Sequence, residues 1–288
     1  MTPLARSYLY VPGDAGRRLT LAHTKGADAL IADLEDAVAP ARKSEARQAV
    51  RTWLAERTPD ERWVRVQAGA AGIDDLAQVF GPGLRGVCMP KVASRADVEE
   101  LARALGELEH LGGWSAAPVA IMPLIESAAG VLAVAEIARA SRVLRLQLGE
   151  LDLAADLGLE VGADEMELLP ARASVVVASA AAGIAPPVGA VWPHVRDDAG
   201  LASTTKRLRR LGFIGRAAVH PAQLETIHRL FSYTAEEIEA ARRVVADYDN
   251  AVASGRGVLL DGDGQMVDEA IVRRSRRVLL THDPRKGG

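Results

Sequence analysis

Residues 118–158 read PVAIMPLIESAAGVLAVAEIARASRVLRLQLGELDLAADLG. Two apolar runs, Val119–Ile125 and Val143–Leu148, each stop at a turn that carries a carboxylate: Glu126 after the first and Asp152 after the second. Between them Ser127–Ala140 sets Val131, Leu132, Val134, Ala135 and Ile137 at helical spacing. Strand, helix and strand in that order is the unit of a parallel sheet. Parallel strands that both end in an acid bring the two acids to the same sheet edge. There a hard cation such as Mg2+ takes one or two carboxylates and fills its shell with waters and substrate oxygens. The same residues have a plainer use, because Glu126 and Asp152 can each cap the helix that follows. Spacing leaves both readings open.

Working outward from this unit, the alternation continues in both directions. Upstream, Ser7–Val11 reads as a strand ending at Pro12-Gly13, Leu19–Lys25 as a helix, and Ala29–Ala32 as a buried strand running into Asp33-Leu34-Glu35-Asp36. Ala41–Glu56 is predicted helical, with Lys43 and Arg47 four apart on one face. Trp63–Gln67 and Gly86–Met89 are the next strands, the latter closing on Pro90-Lys91. Ser94 and Asp97 form a capping-box pattern for a helix with Val98, Leu101, Ala102, Leu105 and Leu108 as its stripe. Downstream come a long helix over Glu165–Ala182, a strand at Val188–Val191, a helix over Ala199–Leu211 and a strand at Ala217–Val219 before His220-Pro221. About eight strands alternating with helices in under ~250 residues predict an α/β fold of the (β/α)8 TIM-barrel type. No GxGxxG turn follows the first strand, which counts against a dinucleotide-binding sheet.

The barrel is expected over residues 1–230, and 231–288 as a helix–hairpin–helix extension packed on the barrel or on a neighbouring subunit. Thr234 to Glu237 opens its first helix as a capping box, Val258–Asp268 reads as a hairpin turning at Asp-Gly, Glu269–Leu280 is the last helix, and His282–Gly288 a frayed tail. At 288 residues and 49% hydrophobic, the chain can bury a large core. Thirty-five basic residues against 38 acidic ones give no prior for nucleic acid or an anionic membrane. The single cysteine, Cys88, excludes a disulfide framework and reads as a core side chain. MTPLARSYLY lacks a signal-peptide core, and the apolar window Ser174–Trp192 is broken by Gly183, Pro186, Pro187 and Gly189, so a cytoplasmic protein with no membrane span is expected.

In such a barrel the site lies at the C-terminal strand ends. The polar residues predicted there are Asp33, Glu35, Asp36, Arg65, Lys91, Glu126, Asp152 and His220. Each has a structural alternative: Arg65 a rim ion pair, Lys91 a solvated loop residue, His220 a turn histidine bonded to backbone. There is no GxSxG, HExxH, P-loop or His/Cys metal spacing. Acids able to hold a hard cation around one arginine able to bind a carboxylate or enolate oxygen point to enolate chemistry on a carbonyl substrate.

The chain resembles the citrate lyase beta-subunit-like (CitE-like) CoA-ester lyases of the HpcH/HpaI aldolase superfamily over almost its whole length. The motifs are Tyr10-Val11-Pro12-Gly13 with Arg17 and Arg18, Asp33 to Val38 with Lys43 and Arg47, Arg65-Val66, Met89-Pro90-Lys91 and Pro123-Leu124-Ile125-Glu126. They continue with Gly149 to Leu153 and Asp156-Leu157-Gly158, Gly212 to Gly215, His220 to Gln223, and Met266-Val267-Asp268. The resemblance implies Mg2+ (or Mn2+) at Glu126 and Asp152, and cleavage or formation of the C–C bond of a 3-hydroxyacyl-CoA such as malyl-, citramalyl- or citryl-CoA. It implies that Arg65 stabilises the enolate oxygen, that Glu35 and Asp36 order metal-bound waters, and that Asp268 serves a neighbouring subunit's site as acid/base. Lys25, Lys43, Arg47 and Arg17 become candidates for CoA phosphates, and a homotrimer or dimer of trimers is expected. Gln67 stands where the family usually has Asn, a departure within the acyl pocket, and Ser127 where threonine is common. On the same scaffold a malyl-CoA thioesterase, a beta subunit of a citrate lyase complex using a carrier-bound citryl thioester, and a binding protein with a vestigial site are the alternatives.

Overall fold

The computed structural model describes residues 4–55, 57–113, 118–255, 258–260 and 266–281. Eight parallel strands close into a barrel in chain order: β1 (Ser7–Pro12), β2 (Ala29–Asp33), β3 (Glu61–Arg65), β4 (Leu84–Met89), β5 (Ala120–Ile125), β6 (Gln147–Leu148), β7 (Val188–Gly189) and β8 (Gly215–Ala218). Closure comes from β1 against β8, with Tyr8 opposite Ala217. Around them run α1 (Arg17–Thr20), α2 (Lys43–Leu54), α3 (Ala70–Val79), α4 (Arg95–Leu111), α5 (Ala128–Leu132), α6 (Val134–Ala138), α7 (Glu150–Leu157), α8 (Leu169–Ala182), α9 (Asp198–Leu211) and α10 (Leu224–Phe231). This is the (β/α)8 architecture expected from the alternation. Strands buried on both faces explain the continuous apolar runs, since a parallel sheet covered by helices has no wet side. Tyr8, Ile31, Trp63, Cys88, Met122, Leu124 and Ala217 pack as a core cluster.

Pairing around the wall is uneven. Five residue pairs join β1 to β2 and five join β2 to β3. By contrast β6 pairs with β5 at Leu124–Gln147 and Ile125–Leu148, and with β7 at Gln147–Val188. The run Val143–Leu148 was expected to be strand throughout. Instead only Gln147 and Leu148 form β6, with one isolated bridge at Val143. Arg145 lies between and is fully buried; its guanidinium donates to the carbonyls of Pro186 and Ala5 and to the Tyr8 hydroxyl.

Two helices also differ from the sequence reading. The segment after Glu126 is two short helices meeting at Ala133 (φ −91°, ψ 2°), so Leu132 ends 88% exposed while Val134 and Ile137 are buried. The segment from Glu165 starts with that residue at φ 55°, passes through a 3-10 turn, and becomes α8 only from Leu169, with Pro170 near the start where its missing N–H costs no bond. Glu165 holds this shape by accepting from Arg172 Nη1 at 2.8 Å, and Arg172 also grips Glu150 through Nε and Nη2 at 2.6 and 2.8 Å. That buried trio ties α8 to the first turn of α7. The capping box of Ser94 and Asp97 forms as expected.

The chain separates into two compact units, Ala5–Arg229 in one, and Leu4 with the part from Leu230 onward in the other. In the second, α11 (Ala235–Ala253) begins at the Thr234–Glu237 capping box. Strands β9 (Leu259–Leu260) and β10 (Met266–Val267) pair antiparallel, and α12 (Glu269–Thr281) follows. Tyr248, Val267 and Val272 form its buried centre, with Val244, Val245 and Ile271 packed against them. The Asp-Gly turn and the tail predicted at 282–288 lie outside the described residues.

Candidate active site

The residues that end the first barrel strands meet in one ionic network. Asp33 closes β2 and Arg65 closes β3, and they face each other as a two-pronged pair, Nε–Oδ1 2.8 Å and Nη2–Oδ2 2.6 Å. Asp33 also accepts the backbone N–H of Glu35 (2.9 Å) and Ala37 (3.3 Å), which shapes the loop after β2. That loop delivers Glu35, whose Oε2 lies 2.9 Å from Arg65 Nη1 and whose Oε1 lies 2.9 Å from Lys91 Nζ. Lys91 follows β4, stands 3.9 Å from the exposed Asp36, and gives its backbone N–H to Glu126 Oε1 at 2.6 Å. Glu126, the residue after β5, is 4% exposed. Asp152 projects from the first turn of α7 and is exposed. Beneath the network, Arg65 stacks 5.1 Å over the Tyr10 ring, and the Tyr10 hydroxyl donates to Gln147 Oε1 at 3.2 Å.

Charge follows from this geometry. Burial opposes the Arg65 charge, but the bonds to Asp33 outweigh it and hold the guanidinium firmly protonated. Burial raises Glu35 above the usual carboxylate range, against the pull of Arg65 and Lys91. Burial pushes Glu126 up to about 7; the Lys91 N–H opposes the rise, while Glu35 and Asp152 add to it through like charge. A carboxylate poised near neutrality is one that a cation would ionise.

The oxygen donors fit a hard divalent ion. A Cβ on Gly149 would lie 2.6 Å from Glu126 Cβ and 2.7 Å from its Oε2, so the bare Cα makes the cradle in which this carboxylate sits. The Cys88 thiol, buried and pushed up to about 12, offers no soft ligand. Among the described residues no three His, Cys, Asp or Glu side chains form a metal group. Two carboxylates completed by water and substrate match Mg2+, which keeps much of its hydration.

The other expected residues fall elsewhere. Lys43 Nζ donates to the carbonyls of Leu34 and Glu35, both at 2.6 Å, and so clamps the loop that carries Glu35. Arg47 Nε bonds the wholly buried Asp75 at 2.7 Å, and Gln67 approaches the same carboxylate through its backbone N–H (2.9 Å) and side-chain amide (3.2 Å). Of the candidate phosphate contacts, Lys43 is thus engaged by two carbonyls and Arg47 by a buried acid. Gln67 likewise turns to Asp75. Arg17 and Lys25 are exposed. Asp268, in the second unit, caps α12 by accepting from Ala270 and Ile271 N–H at 2.9 and 3.1 Å. His220 caps the turn after β8, as its structural reading held. Sequence reasoning missed Asp75, Tyr10 and Gln147 as partners; the signal was a polar residue inside an apolar stripe or run.

A (β/α)8 barrel with Glu126 directly after β5, Asp152 in the first turn of α7 and an arginine on β3 fixed by Asp33 defines the class. Comparison with known proteins supplies the rest: residues 6–221 match HpcH/HpaI aldolase/citrate lyase, and the chain belongs to that family. It is 33% identical over 283 residues to the citrate lyase subunit beta of Leuconostoc mesenteroides subsp. cremoris, covering 96% of this chain and 92% of that one. It is 34% identical over 278 residues to a (3S)-malyl-CoA thioesterase of Cereibacter sphaeroides, covering 95% and 93%. The crystal structure of CitE from Mycobacterium tuberculosis in complex with magnesium, acetoacetate and coenzyme A matches with a TM-score of 0.77 at 30% identity, covering 96% of this chain and 98% of the other. The CitE-like resemblance drawn from the motifs is borne out. No helix among the described residues is long and apolar enough to cross a membrane.

Proposed function

We propose that this chain is a Mg2+-dependent lyase that cleaves, or forms in reverse, the C–C bond of a 3-hydroxyacyl-CoA such as malyl-CoA or citramalyl-CoA, giving acetyl-CoA and an α-keto acid. The observation that carries the reading is the pairing of opposite functions on one rim: Glu126, cradled at Gly149 beside Asp152, and Arg65, fixed in its charged form by Asp33. The CitE structure with magnesium, acetoacetate and coenzyme A supports both halves. When bound by Glu126 and Asp152, Mg2+ (or Mn2+) supplies a Lewis acid for the oxygens of the keto-acid half.

The protein's own groups do the rest. Cleavage breaks the bond between C2 and C3, the pair of electrons passes into the thioester as an enolate, and the C3 hydroxyl proton leaves to a base. Arg65 has five N–H donors; Asp33 and Glu35 take three, and the remaining two serve the enolate oxygen as its charge grows. Glu35 orients that guanidinium, and with Asp36 it orders nearby water. Asp268 of a neighbouring copy in a homotrimer takes the hydroxyl proton or returns one to the enolate carbon. Among the candidate phosphate contacts, the exposed Arg17 and Lys25 are assigned to CoA.

The test is chromatographic. Protein incubated with malyl-CoA or citramalyl-CoA, with Mg2+ or with EDTA, should give metal-dependent acetyl-CoA. Free CoA with free hydroxy acid would instead establish the thioesterase reading, which the Cereibacter relative favours. No turnover of either, with activity restored on a carrier-bound citryl thioester by partner subunits, would establish the citrate lyase subunit. Mixing Asp268→Asn and Arg65→Ala chains should restore activity that each lacks alone; failure in properly mixed assemblies would place the whole site in one chain.

A further inference from the structure

Lys91 adopts φ 54°, the left-handed region that a residue with a side chain rarely enters. The outlier has a visible result. It aims two donors of one residue at two different acids: the backbone N–H at Glu126 Oε1, 2.6 Å away, and the ammonium at Glu35 Oε1, 2.9 Å away, with Asp36 Oδ1 at 3.9 Å. The side chain is 52% exposed, so the ammonium is no part of the core. Five carboxylates gather here (Asp33, Glu35, Asp36, Glu126 and Asp152), and Arg65 is already matched by Asp33. Lys91 is the cation left to balance the others within this network.

We propose that Lys91 is a positioning residue that serves as the resident cation of the acid cluster: its amide proton sets one oxygen of Glu126, and its ammonium, held on Glu35, competes electrostatically with the divalent ion and so sets that ion's affinity. The proposal rests on the metal reading of Glu126 and Asp152. It goes further in assigning the tuning of affinity to a group that does not touch the ion. An ammonium held beside the ion weakens its hold through like charge, and removing that charge strengthens it. The left-handed backbone is what allows the amide to stay in place while the side chain works elsewhere.

The experiment titrates Mn2+ into EDTA-stripped protein without substrate, reading free Mn2+ by electron paramagnetic resonance. Wild-type chain should bind at one site that Glu126→Gln loses. Lys91→Met and Lys91→Gly, the second of which suits the left-handed backbone and keeps the amide proton, should both bind roughly two- to fivefold more tightly, the scale of one partly exposed charge pair. Lys91→Arg should match wild type, and the gain should be equal in Met and Gly, of which only Gly relieves the left-handed backbone, so that it does not follow Tm as a purely structural effect would. Unchanged or weaker binding in Lys91→Met, or a gain in Met that Gly does not share, overturns the proposal while leaving the metal site standing. Wild-type chain that binds no Mn2+, or binding that survives Glu126→Gln, overturns the metal reading and this proposal with it.

Discussion

Glu126 lies between the Lys91 amide and the bare Cα of Gly149, and burial there raises its carboxyl from 4.5 to about 7 against the opposing pull of the Lys91 N–H. The unfolded chain releases this proton near the ordinary glutamate value, while the folded, metal-free protein keeps it until near neutrality. The folded state therefore binds more protons across that interval, and its stability falls as pH rises from about 4.5 to about 7, by on the order of 3 kcal/mol. Urea titrations at the two ends should show this fall, and Glu126→Gln should flatten it; an equal slope in the variant would assign the effect to another group. Gly149→Ala tests the cradle. Its φ of −107° suits alanine, so the penalty is steric, expected at about 1–3 kcal/mol by denaturant melts, together with loss of Mn2+ binding. Glu126, Arg65 and Glu35 were legible because strand ends and charge type announce them. Asp75 was not, because its partners Arg47 and Gln67 are 28 and 8 positions away and only the fold brings them together.

At the scale of elements, the trio of Glu150, Arg172 and Glu165 holds the turn from which Asp152 projects. All three are buried, so removing the central cation strands two acids. Arg172→Met should cost about 3–5 kcal/mol, read as a lowered urea midpoint, and replacing Glu150 by glutamine as well should recover part of it. Full stability in the single variant would show that water reaches these acids. The sequence places α7 and α8 in order, but it hides the strained Glu165 and the break at Ala133. Apolar spacing reports which side of a segment faces inward, not whether the helix is continuous. Leu132 shows the limit: it fits the period and ends on the surface.

For the whole molecule, alternation of strand and helix was enough to read the barrel, because parallel strands covered on both sides must be apolar throughout. The second unit was legible as elements only; the proposed role of Asp268 in a neighbouring copy is an inference from the resemblance, because composition does not encode assembly. The mixed-chain experiment above belongs to this scale, and so does the uneven wall. Regular pairing is short here, one residue pair between β6 and β7 and two between β7 and β8, and single bonds such as Leu144 N–H to Ile121 O (3.0 Å), Ala185 N–H to Leu144 O (3.0 Å) and Val188 N–H to Leu146 O (2.9 Å) complete the wall over 144–148 and 187–191. Deuterium should enter these amides before those of β1 to β3, read by mass spectrometry of peptides, and uniform uptake would show that side chains such as Arg145 carry the wall instead. Early exchange there would mark a soft seam in the barrel, with Asp152 just beyond it. An ion that pins Asp152 would draw the seam shut, so the protein should exchange more slowly there once loaded, its rigidity completed by what it binds.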